Sequence, residues 1–466
     1  LPPAWPECLM SMVQWDFPGN PFKDNRALKM RAFMAAATHM IMFHDYAERN
    51  DARVPPPIRP DWHGYNPVWW ASPYPAFKDV LPSEVQKAYE GELKAIGERM
   101  LKWGIKGESC ENDYNLTVGL LYIARAINDA EFTKKVEELA RPLFTDPAHF
   151  HPAGYWDERG GIDTGFGGTA NWFASWIALM TDWPFVKDAL ARVYRLRGHL
   201  LLPEPDGAIT GPSHFNSRLG SPPNKDQWAW DDMQRNSARD FMAAVVTDEA
   251  AYAVRTLTPA EFASGPVARV AEFNFHLKEN SRPVGAHYLT NEEMLEQKLM
   301  GMKWEPRIWM SYDFPASVNP GYEFYLKGAR ARREQLEKSS SPLLKLPVLR
   351  GENYVRAFEK DFFVARQPAF AAIVHAGPVG RQSADDKKAQ FAGPMGLGGG
   401  QLSAFWSPQT GPVILGLRIG MSYDKTFDAP DAWRIWPIHA VSGVTAGGRI
   451  FTSARNARPE VASEVK

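Results

Sequence analysis

Cysteine is nearly absent: Cys8 and Cys110 are the two among 466 residues. Two thiols rule out a disulfide framework, and neither stands in a metal-type spacing. Both are expected as buried thiols, with a single bridge as the alternative for an exported chain. An excess of charge is also missing. The 53 basic and 54 acidic residues leave a net charge of −1, which gives no support for general binding to nucleic acid or a membrane surface. A local basic groove is still allowed. No run approaches the roughly 18 apolar residues that span a bilayer, since Met34–Phe43 is interrupted by Thr38 and His39 and followed by His44. The chain starts at Leu1, and removal of a leader, with a secreted or periplasmic location, is expected on that ground.

Tryptophan, in contrast, is plentiful at 17 residues. Its N–H needs a partner when buried, so it is a demanding core residue. Its flat face also suits the C–H faces of sugar rings, and the surplus favours glycan binding over plain packing.

The length exceeds one compact core, and the apolar pattern changes period along the chain. Apolar residues at helical spacing cover Asn25–Asn50, then Pro82 to about Trp103, Tyr114–Asn128, Ala130–Phe144, Thr169–Thr181, Pro184–Leu200, Ala238–Thr256, Pro259–Lys278 and Asn291–Met302, with Tyr322–Lys338 in the connection. Helix pairs on short turns, with no strand between them, predict an α/α toroid or superhelix. From Tyr354 the pattern alternates: Tyr354–Phe358, Phe362–Gln367, Phe370–His375, Gln401–Ser407, Val413–Ile419 and Arg434–Val441 read as strands. The expected fold is an N-terminal α/α toroid (1–305), a connection (306–353) and a C-terminal antiparallel β-sandwich (354–466). The sandwich is short enough that a continuation past Lys466 is expected. Met395–Gly400 is glycine-rich but lacks the Gly-Lys-Ser/Thr ending of a phosphate loop.

The densest polar and aromatic run is Pro203–Asp232. A loop that long is usually functional or disordered, and its Trp and Phe content argues for function. His214, Asn216 and Arg218 are spaced by two, so an extended segment puts them on one side. Together they can bind a carboxylate and move a proton. Trp228 and Trp230 lie further along the same run. A second cluster, Tyr155–Trp172, is glycine-rich and ends in Asn171-Trp172 at an expected helix start, where an N-cap role for Thr169 or Asn171 is the competing reading. Asn112 and Tyr114 open another helix. His63 and Trp69 belong to a loop suited to stacking a sugar, and His375 ends a predicted strand.

Asn171-Trp172, followed by Asp206-Gly207 and Ser213-His214-Phe215, resembles the heparinase II/III-like and alginate-lyase-like polysaccharide lyases. In those families an Asn-His or Asn-Trp pair opens a toroid helix and an Asp-Gly…Ser-x-x-Tyr-His segment follows. Here His214-Phe215 stands where the family has Tyr-His. The resemblance implies a toroid joined to a β-sandwich and β-elimination on a polysaccharide containing uronic acid. Asn171 would neutralise the substrate carboxylate with Arg218 or Asn216, His214 would be the base, and a tyrosine, from among Tyr114, Tyr155, Tyr312 and Tyr322, would protonate the leaving oxygen. Asn112, Tyr114, Trp172, Asn216, Trp228, Trp230, His63, Trp69 and His375 would contact the sugar. No metal or other cofactor is called for, and the expected partner is an acidic polysaccharide. A toroid glycoside hydrolase is the main alternative. It needs two carboxyl groups, for which Glu158, Asp163, Glu204, Asp206, Asp231 and Asp232 are available. A non-catalytic glycan-binding protein is the third.

Overall fold

Spacings of three and four between apolar residues dictate the first half. The computed structural model describes residues 13, 22–49, 68, 70–105, 110–157, 164–203, 209–210, 243–254, 329–376, 401–415, 442–444 and 450–452. Its helices of ten residues or more are α1 (Arg26–Arg49), α2 (Ser83–Trp103), α3 (Cys110–Ile127), α4 (Ala130–Thr145), α5 (Thr164–Met180), α6 (Pro184–Leu200) and α7 (Ala329–Lys338). The start of α4 has a plain cause. Asn128 takes a left-handed φ of 52°, and the Asp129 side chain accepts a hydrogen bond from Phe132 N–H, satisfying one of the orphan donors of the new helix. Pro184 opens α6, where its missing N–H costs nothing.

Helix α3 packs against α2, α4 and α5, and α6 against α4 and α5. Polar ties fix these contacts. Trp176 Nε1 on α5 donates to the Tyr122 hydroxyl on α3 at 2.8 Å. The Tyr114 hydroxyl on α3 donates to the Leu143 carbonyl on α4 at 2.5 Å. Gly97 on α2 leaves room for the Phe132 ring of α4: a Cβ there would stand 2.5 Å from Phe132 Cζ.

Two short hairpins interrupt the helices, contrary to the expectation of an unbroken helical run. β1 (Phe150–His151) pairs with β2 (Tyr155–Trp156), and β3 (Leu202–Pro203) with β4 (Ile209–Thr210). Segments this short show no period of two to read. Of the helix expected at Ala238–Thr256, residues 243–254 are described: 243–246 are helical and Asp248–Val254 form a 3-10 turn, gripped from α7 by Arg332, which donates to the Ala244 carbonyl and contacts Asp248.

The sheet follows its sequence pattern closely. β5 (Tyr354–Phe358), β6 (Phe362–Gln367), β7 (Phe370–His375), β8 (Gln401–Ser407) and β9 (Gly411–Leu415) form one antiparallel sheet in sequential order. A separate pair, β10 (Ser442–Val444) and β11 (Ile450–Thr452), follows, and the strand expected at Arg434–Val441 lies outside the described residues. Alternate residues of β6 and β7 are buried, and the covered face carries Phe358, Phe362, Val364, Arg366, Ala371, Ile373, His375, Ala404 and Trp406. This face joins the helices in one continuous apolar core. Helices followed by a five-stranded antiparallel sheet are thus established. The closure of a toroid, the second layer of a sandwich and the helices expected at Pro259–Lys278 and Asn291–Met302 lie outside the described residues. Among the described residues no helix is long and apolar enough to cross a membrane.

His199, in the last turn of α6, is one of the contacts between helices and sheet. It is 3% exposed, and its ring lies 5.2 Å from both Tyr354 and Phe358 of β5. Burial, aided by Arg356 and Arg350, lowers its pKa to about 4, against the opposing pull of its bond to the Arg195 carbonyl and of Glu249. The unfolded chain takes up this proton near 6.5. The stability contributed by a neutral His199 is therefore complete above that value and declines as pH falls toward about 4. His199→Gln should flatten this part of the curve, read as urea midpoints across that range, and an unchanged slope would remove His199 as its source. Gly97→Val should cost about 1–3 kcal/mol by overpacking, measured by the same denaturation.

Candidate functional site

The β1–β2 hairpin carries the site. It is nested on α6: Arg192 Nη2 donates to the Pro152 carbonyl at 2.5 Å, and the guanidinium lies 4.8 Å from the Phe150 ring centre. Gly154 makes the turn with φ 99°, and a Cβ there would meet the Arg192 carbonyl oxygen at 2.7 Å. Glycine is required on both counts.

The register separates the hairpin into two faces. Phe150 pairs with Trp156, and His151 with Tyr155. Paired residues share a side, and consecutive residues point to opposite sides. On the inner face Trp156 is 2% exposed and packs against Tyr114, Phe144 and Phe150. Its Nε1 donates to Asn171 Oδ1 at 2.6 Å. That bond fixes the amide, leaving the two N–H groups as the donor end of Asn171.

On the outer face His151 stacks on Tyr155, with ring centres 4.4 Å apart and planes within 8°. The Tyr155 hydroxyl donates to Asp361 Oδ2 at 2.9 Å. Asp361 is 6% exposed and sits in the turn between β5 and β6, with its backbone tied to the end of β7 through Ala376 N–H. His375 stacks on Phe362, the next residue, at 4.5 Å. Burial first, and the Asp361 carboxylate second, push the Tyr155 hydroxyl far above its ordinary pKa. It is a held proton, not a base. The His151 Nδ1 lies 3.6 Å from Asp361 Oδ2, beyond hydrogen-bonding reach, and accepts from Ala153 N–H at 3.2 Å. Its proton therefore sits on Nε2, and the side chain retains 29% exposure. His151 is the solvent edge of this cluster.

Several expected site residues fall elsewhere. Asn171 is two turns inside α5, which starts at Thr164, so neither it nor Thr169 is an N-cap. Trp172 is 3% exposed and stacks with Phe173 and Trp176, and in this arrangement it is packing. Trp70, Trp156, Trp176, Trp183 and Trp406 are buried as well, so the tryptophan surplus serves the core among the described residues. Tyr114 is 1% exposed, its hydroxyl spent on Leu143. Asn112 is half-buried in the first turn of α3. His375 is buried on the sheet face. His63, Trp69, His214, Asn216, Arg218, Trp228, Trp230, Tyr312 and Tyr322, and the carboxylates Glu158, Asp163, Glu204, Asp206, Asp231 and Asp232, lie outside the described residues. Sequence reasoning missed His151 and Asp361. Among the described residues no group of three His, Cys, Asp or Glu side chains could hold a metal ion.

No family model and no curated protein matches the chain. Among solved structures it is similar to the chondroitin AC lyase of Streptomyces coelicolor A3 in complex with chondroitin sulphate, at 13% identity and a TM-score of 0.47, over 88% of this chain and 50% of that one. The chain thus spans about half the length of that enzyme.

The Tyr155–Asp361 bond is testable by itself. Tyr155→Phe strips a buried carboxylate of its donor and should cost about 1–3 kcal/mol. A double-mutant cycle with Asp361→Asn should show a coupling of about 0.5–3 kcal/mol in urea denaturation, and strict additivity would deny the bond.

Proposed function

We propose that the chain is a polysaccharide lyase that cleaves a uronic-acid-containing polysaccharide by β-elimination. The observation that carries this reading is the stacked His151–Tyr155 pair over the buried carboxylate of Asp361, at the junction of helices and sheet. Elimination removes the proton on C5, next to the uronate carboxylate, and breaks the C4–O bond. It needs a donor on the carboxylate, a base, and a proton for the leaving oxygen. Tyr155 keeps its proton until an oxygen as basic as a departing alkoxide is presented, which is the behaviour of the acid in this scheme. His151 offers Nε2–H to the sugar from the exposed edge. His214 remains the proposed base, and Asn216 and Arg218 the proposed neutralisers, from the long loop at Pro203–Asp232.

The two faces of the hairpin alter the role given to Asn171. Its amide is tied to the inner face, across β2 from the His151–Tyr155 pair. In this proposal Asn171 holds Trp156, and hence β2, in register. The division at 1–305, 306–353 and 354–466 stays part of the proposal, as does work outside the cell or in the periplasm, where a polymer too large to cross a membrane is met.

Incubation with uronate polysaccharides should raise the absorbance near 232 nm, the signature of the unsaturated product. Tyr155→Phe should lower kcat by about a hundredfold or more, with KM little changed. Reducing sugar released without the absorbance would favour a hydrolase, and binding without cleavage of any such polymer would favour a non-catalytic glycan-binding protein. Either result would end the lyase reading.

A further inference from the structure

β5 is an edge strand of the five-stranded sheet, and Val355, Arg356 and Ala357 along it are exposed. Three arginines gather at its Tyr354 end. The Arg356 guanidinium lies 5.2 Å from the centre of the Tyr354 ring, and His199 holds that ring edge-on from the other element, also at 5.2 Å. Half-buried Arg350 donates from Nε to the Lys345 carbonyl at 3.0 Å. Buried Arg366 stands opposite Tyr354 on β6 and donates from Nε to the Val348 carbonyl at 2.9 Å. Elsewhere Arg141, Arg195 and Arg332 each meet a carboxylate. No carboxylate pairs with Arg350, Arg356 or Arg366 among the described residues.

Like charges held together without counter-ions repel, and a bound anion relieves them. Tyr354 registers the local field. Burial pushes its hydroxyl up to about 12, while Arg356, Arg366 and Arg350 pull it back and Glu352 alone opposes them. Arg356 and Arg350 act on His199 as cations too. In the turn at the other end of β5, exposed Glu359 and Lys360 balance each other. The excess of positive charge is thus confined to the Tyr354 end. Arg356 and Arg350 carry it to the surface, where an anion is met without entering a cavity. A ring and a backbone carbonyl steady these two side chains, and each keeps a planar fork of donors that matches a carboxylate or similar oxyanion. β5 runs from Tyr354 to Phe358, so about 14 Å of strand separates Tyr354 from the turn that holds Asp361. A polymer laid along this edge meets both places at once, and a single sugar meets one.

We propose that Arg350 and Arg356 form an accessory surface that grips the anionic groups of an acidic polysaccharide, apart from the His151–Tyr155–Asp361 cluster. This rests on the reading that the chain meets such a polymer, and not on the elimination assigned to it. Calorimetric titration of the full chain with polygalacturonate (carboxylates alone), dextran sulfate (sulfates alone) and dextran (neither) tests it. One or both acidic polymers should bind, the tighter one telling carboxylate from sulfate, and dextran should not. Arg350→Gln with Arg356→Gln should lower the affinity about tenfold or more at an unchanged urea midpoint, and Arg356→Gln alone decides the matter if the double variant does not fold. Lys87→Gln with Lys134→Gln, the same change of charge on exposed positions of α2 and α4, should leave the affinity as it is. Failure of both acidic polymers to bind, an affinity indifferent to the arginine substitutions, or an equal loss from the lysine pair would overturn the proposal. Binding that depends on the arginines in a chain that cleaves no such polymer would remove the lyase reading and leave this surface standing.

Discussion

A carboxylate 6% exposed cannot stand without a donor, and Asp361 finds its donor 206 residues away in the sequence, on Tyr155. That one hydrogen bond sets much else. It anchors the first turn of the sheet to a hairpin carried by the helices, and it holds the tyrosine's proton. It also places His151, stacked on Tyr155, at the edge that meets solvent. The hairpin in turn depends on Gly154, whose positive φ and close approach to Arg192 allow no side chain.

The hairpin is two residues wide on each strand, yet it divides structure from chemistry. Its inner face, Phe150 and Trp156, belongs to the helical core and keeps Asn171 in place. Its outer face carries His151 at the solvent edge and the buried Tyr155, whose hydroxyl donates to Asp361 of the β5–β6 turn. The amide expected from sequence to neutralise a substrate carboxylate accepts from Trp156 on this inner face. The same logic accounts for the buried tryptophans among the described residues. A large ring whose N–H has a partner is a good core residue, and Trp156 and Trp176 each have one.

The regular parts of this fold were legible because their period is long enough to see. Helices α2 and α6 and strands β5 to β8 follow the apolar spacing residue for residue. The start of α5 was not legible, since Gly165, Gly167 and Gly168 read as turn chemistry while the structure folds them into helix. Tyr155 stood in a glycine-rich cluster, as one of four tyrosines among which the sequence does not choose. His151 was missed because two-residue strands show no alternation. Asp361 was missed because one acidic residue in a hairpin turn looks like any other. Only the tertiary contact distinguishes it, and no local pattern encodes a partner so distant in sequence.

The most direct measurement is a crystal structure of the chain with a bound uronate oligosaccharide. The account predicts a leaving-group oxygen within about 3.2 Å of the Tyr155 hydroxyl, with His151 Nε2 donating to the same sugar. A sugar bound with its uronate far from both residues, on another surface of the helices or sheet, would contradict it.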